Sequence, residues 1–128
     1  MDRAKRFDHL RRAAGAEIRR ILVNRARRGD LITYSDLASR IRSVQLIAHS
    51  KLLADLRTAI SIEECVARRG LLSAVVVEKT RNGGFGIPGR KFFTTFMPSC
   101  EQEDWPTCWR REVDKVFKYW QGRRRTGS

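Results

Sequence analysis

The sequence predicts an α+β fold in one domain: a three-helix core followed by a β-hairpin, with a further helix at each end. Three observations predict it. Apolar residues recur at three- and four-residue steps from Phe7 to Ile60. At Leu71 the period changes, and "LLSAVVVEK" runs on without a polar break. After Asp104 helical spacing returns, with unusually bulky side chains. A chain of 128 residues with 41% hydrophobic content fills one core and not two. Residues 1–122 are assigned to the domain, and "RRRTGS" at 123–128 to a disordered basic tail.

The first helix carries Phe7, Leu10, Ala14, Ile18, Ile21 and Leu22 as one apolar stripe, with most arginines off it. Gly29-Asp30 ends it, and Arg25, Arg27 and Arg28 sit where the helix dipole favours cations. Leu31-Ile32-Thr33 is short and apolar, and Thr33 or Ser35 can cap a helix turning Leu37, Ala38 and Ile41 inward. Ser50 can cap a third helix carrying Leu52, Leu53, Leu56 and Ile60. Glu63 to Val66 continue in helical spacing, and Arg68-Arg69-Gly70 stops it. Leu71–Lys79 is expected as one strand and Lys91–Met97, "KFFTTFM", as the next. The intervening "RNGGFGIPGR" is longer than a usual hairpin turn, which points to a working loop. Asp104 can cap the last helix, with Pro106 in its first turn and Gly122 as its stop.

Helix, short strand, helix, helix, hairpin is the order of a winged helix-turn-helix. The run "LITYSDLASRI" resembles the opening of such domains, and is similar to part of the DNA-binding region of the alkylguanine alkyltransferases. That family's reactive Pro-Cys-His-Arg motif is absent, since Cys100 lies in Pro98-Ser99-Cys100-Glu101, so alkyl transfer is rejected. The second half resembles a group of small bacterial and phage proteins without a settled role. The matching residues are Leu71 to Val77, Pro88-Gly89, Phe92-Phe93, Trp109 and Trp120. The resemblance implies a recognition helix at Ser50–Ile60 and a glycine-rich wing.

Charge supplies the functional expectation. Lys and Arg number 27 against 14 Asp and Glu, a formal net charge of +13. Such a surplus repels itself in a compact chain, and a polyanionic partner relieves it. The excess sits at the two ends. Double-stranded DNA is the expected partner, and a regulator of transcription or an accessory factor of a phage or mobile element the expected role. On the recognition helix Lys51 is placed against phosphate, Arg57 against guanine, and Thr58 beside them, with His49 at the helix start. Arg81, Asn82, Arg90 and Lys91 flank the loop glycines as wing contacts; Phe85 is either a wedge or folds back on the hairpin, with the core expected ahead of the wedge. Arg11, Arg12 and Arg19 extend the basic surface on the first helix.

Other classes are weighed against this one. No apolar run reaches the length of a membrane span, and no secretory signal opens the chain, so a cytoplasmic, nucleoid-associated protein is expected. Cys65, Cys100 and Cys108 form no CxxC pair and read as free thiols; with only His9 and His49 beside them, no metal or cofactor is expected. Asp36, Glu78 and Lys79 suggest a nuclease, but adjacent strand residues point to opposite faces and assemble no site, so no enzyme is expected. Trp109, Val113, Val116, Phe117 and Trp120 serve either the core or a homodimer. The alternative function is a protein-interaction module, such as an inhibitor or adaptor in phage defence.

Overall fold

The computed structural model describes residues 3–42, 51, 55, 56 and 70–124. Helix α1 (Arg3–Arg28) leads to strand β1 (Ile32–Thr33) and the short helix α2 (Tyr34–Ser39). A 3₁₀ turn (Leu72–Val75) then feeds strand β2 (Val76–Val77). Helix α3 (Arg90–Phe96), a second 3₁₀ turn (Gln102–Asp104) and helix α4 (Trp105–Arg124) complete the described elements. The architecture is α+β, with one two-stranded sheet among the described residues.

The expected stripe on α1 is largely realised. Ala14, Ile18, Leu22 and Ala26 are buried at four-residue intervals, joined by Val23, and Ile21 is half-buried. Phe7 and Leu10 have side chains outside the described set. Gly29 takes φ +69°, the left-handed conformation that lets the chain leave the helix. Thr33 caps α2, its hydroxyl accepting from the Asp36 amide at 3.2 Å. Leu37, Ala38 and Ile41 face inward.

The second half departs from the sequence expectation in three places. Leu71–Lys79 is not one strand; within it only Val76–Val77 forms a strand, pairing in parallel with Ile32 and Thr33. Lys91–Met97 is not a strand but helical as far as Phe96, because Phe92 and Phe93 are buried and Phe96 is half-buried while Thr94 and Thr95 stay exposed. That is a helical face, not strand alternation. The wide hairpin built from these two segments is therefore absent. In its place a narrow one closes on a single antiparallel bridge, Lys79 to Phe85.

Two further boundaries shift. Cys100 and Cys108, expected as free thiols, form a disulfide across the turn between α3 and α4. Gly122 does not stop α4, which runs to Arg124 and takes up the first residues assigned to the tail. The last four residues, the cysteine at 65 and the helical stretch at Glu63 to Val66 lie outside the described residues.

The core is shared by α1, α4 and the Leu72–Val75 turn. The aromatic face of α4, with Trp109, Val113, Val116 and Trp120, packs on α1 and on the Leu72–Val75 turn. That face is thus covered within the one chain. Phe93 stacks on Trp105 with centroids 4.4 Å apart, tying α3 to the start of α4. The buried turn takes hydrogen bonds from α4 rather than from a strand. The Trp109 indole donates to the Ala74 carbonyl at 2.8 Å, and the Glu112 carboxylate accepts from the Leu71 amide at 2.8 Å.

Replacing Trp109 by Phe removes a donor and leaves the buried Ala74 carbonyl without it. Urea unfolding should then show a loss of about 1–3 kcal/mol. A variant as stable as the parent would show that water reaches this carbonyl.

Candidate nucleic-acid interface

The last three turns of α1 begin the site. Arg19, Arg20, Arg27 and Arg28 recur at helical spacing, so they fall on neighbouring strips of one helix surface. Arg25 lies further round, toward α2. At the far end of α2, Arg40 is the residue that ends the helix. These six arginines line one groove of about 730 Å³, and none of its described lining residues is acidic. A second recess of 450 Å³ shares Arg20 and Arg40 and adds Arg42, with Glu17 on its wall. The Glu17 carboxylate accepts from the Arg42 amide at 2.6 Å, which pins the chain leaving α2 against α1.

Six like charges on one surface repel, and contacts to five of them offset this. Arg19 and Arg27 lie on the ring of Trp120, their guanidinium carbons 5.8 and 5.6 Å from its centroid. Asp36 spans the other side, 3.0 Å from Arg40 and 3.7 Å from Arg25. Arg25 also donates to the Leu31 carbonyl at 3.2 Å, and Arg28 pairs with Asp30 at 3.0 Å. The ion pairs are half-exposed and individually weak. Their effect is placement: the planar donors of Arg25, Arg28 and Arg40 are held at the groove, partly occupied by the aspartates.

At 1.5 Å rise per residue, Arg20 and Arg28 stand about 12 Å apart along the helix axis, close to the axial rise of roughly three to four base pairs. Each guanidinium can grip a phosphate with two parallel N–H donors.

The glycine-rich loop is the second basic feature. Parallel pairing of β1 with β2 brings Tyr34 and Glu78 to the same end of the sheet. There the Tyr34 hydroxyl accepts from the Gly89 amide at 2.9 Å. A side chain at Gly89 would meet the Glu78 carboxylate at 3.0 Å and Tyr34 at 3.5 Å, so the loop root is closely packed. Beyond it Arg81 and Asn82 are exposed at the tip, and Arg90 and Lys91 are exposed at the start of α3.

The remaining expected residues divide. Arg11 and Arg12 are exposed on α1, and Arg19 belongs to the groove. Lys51 is helical and exposed, while Arg57 and Thr58 lie outside the described residues, so most of the expected recognition helix does too. Arg20, Arg25, Arg27, Arg28, Arg40 and Arg42 were not among the expected contacts. For those on α1 the helical spacing was a usable signal; for Arg40 and Arg42, brought in by the α1–α2 packing, there was none.

Phe85 is 57% exposed, not part of the core. Glu78 is half-buried at the loop root and Lys79 exposed beyond it. No cluster of three or more His, Cys, Asp or Glu able to hold a metal occurs among the described residues. No described helix is long and apolar enough to cross a membrane. No protein-family model, curated protein or solved structure matches the chain.

Asp36 competes with any phosphate for Arg25 and Arg40. Asp36→Ala should bind a short DNA duplex roughly 2- to 5-fold more tightly at 50 mM salt, read by fluorescence anisotropy. Weaker binding would mean that Asp36 orients the arginines rather than occupying them.

Proposed function

We propose that the protein binds double-stranded DNA through the arginine-lined groove of α1 and α2, without catalysing a reaction. The observation that carries this is the groove itself: six arginines, no acidic residue among its described lining, and two of the guanidiniums seated on the Trp120 ring. Phosphate contacts dominate such binding and set its register on the duplex. The basic loop at Arg81 and Asn82 adds a second contact, anchored on α2 through Tyr34.

The winged helix-turn-helix reading is carried here in reduced form. Helix α1, strand β1 and helix α2 keep its opening order, and the narrow Lys79–Phe85 hairpin stands where the wing is expected. A regulator of transcription, or an accessory factor of a phage or mobile element, is the role this supports. A homodimer on a palindromic site would use a surface other than the α4 face already buried against α1.

Titration of a duplex between 50 and 200 mM salt tests the proposal. With about six phosphates contacted, the log–log slope of affinity against salt should be near −5. Changing Arg20 and Arg28 together to Ala should make that slope shallower by roughly 2, and Arg81→Ala by roughly 1, for every sequence alike. Absence of duplex binding at 50 mM salt would sink the proposal and leave a protein-interaction module in its place.

A further inference from the structure

We infer that Phe85 is a stacking platform for an unpaired nucleobase, carried on a rigid basic hairpin; this rests on the nucleic-acid reading above. Phe85 is the one exposed large hydrophobic side chain among the described residues. An aromatic ring left in water on a mobile loop would carry little meaning. This one is fixed. The Glu78 amide donates to Ile87 at 2.9 Å, Gly86 back to Glu78 at 2.8 Å, and Thr80 to Gly84 at 3.0 Å. The Thr80 hydroxyl accepts from the Gly84 amide at 3.0 Å, and Gly83 closes the turn with φ +81°. Buried Pro88 and the Tyr34–Gly89 hydrogen bond hold the root.

The surroundings suit a nucleotide. Lys79 and Phe85 are directly bridged across the hairpin, so their side chains emerge on the same face, about 5 Å apart at Cβ. A ring for a base thus stands beside a cation for its phosphate. Gly84 and Gly86 flank Phe85, so neither sequence neighbour projects a side chain beside the ring. From Lys79 to Cys100 the chain carries Lys79, Arg81, Arg90 and Lys91 and no carboxylate. A fully paired duplex hides its base faces. The ligand the ring fits is therefore a base already out of the stack, at a mismatch, bubble, gap or single-stranded end.

The test compares a perfect duplex, the same duplex with a three-base bubble, and a single strand, each titrated with the full chain. The bubble should carry 2-aminopurine in one unpaired position as a stacking reporter. The parent should bind the bubble duplex more tightly than the perfect one and change the 2-aminopurine signal. Phe85→Ala should weaken bubble and single-strand binding by about 5- to 150-fold, while the perfect duplex changes less than about 2-fold. Phe85→Trp should restore the preference. Equal loss on all three ligands, or no loss on any, overturns the stacking role while the groove proposal stands. No binding of any ligand by the parent overturns both. A Phe85→Ala chain that keeps its nucleic-acid preference but loses a protein partner also overturns the inference.

Discussion

Residues Leu71–Val77 are seven consecutive buried positions, and the rest of the molecule is arranged to supply their backbone with partners. A dry peptide group left without a hydrogen bond is destabilising by about 1–3 kcal/mol. The segment answers this in pieces. Its first amide goes to Glu112, the Ala74 carbonyl to Trp109, and Val76 and Val77 to the edge of β1. Helix α4 must therefore lie against the turn and β1 against the strand. That second contact brings Tyr34 beside Glu78 and so fixes where the glycine-rich loop leaves the core.

The same constraint shows where sequence reasoning reached and where it stopped. Helix α1 and its stop at Gly29, Thr33 as one of two candidate caps, and the apolar face of α4 were legible, because each is written in local spacing or a single cap; whether that face turned inward or to a second copy was not. The run at Leu71 was not. A segment buried on every side has no periodicity to read, and its 3₁₀ geometry depends on Trp109, 35 residues away, and Glu112, 41 away from Leu71. "KFFTTFM" misled for a different reason. The threonines favour a strand, yet Phe92, Phe93 and Phe96 also fit a helix, and stacking of Phe93 on Trp105 decides between them. The arginines of α1 were visible as charge, but their convergence with Arg40 follows from packing alone.

The groove also shows how a strongly cationic surface is kept usable. A free arginine side chain loses about 2 kcal/mol of rotamer entropy when a ligand fixes it. Arg19 and Arg27 are already restrained on Trp120, and Arg25 and Arg40 on Asp36. Part of that ordering is done on folding, so less is lost on binding. Self-repulsion is offset by the same contacts, each modest and all local.

The pairing of α1 with α4 has a consequence for synthesis. These helices are far apart in sequence, and the apolar stripe of Ala14, Ile18, Leu22 and Ala26 packs in part against α4. A ribosome makes α1 well before α4. Until α4 emerges, the nascent chain carries this amphipathic helix without that partner and with its arginines already in place. Such a species attracts chaperones, anionic surfaces and other nascent chains. The α1 stripe therefore meets its α4 partner only after the residues between them have been made.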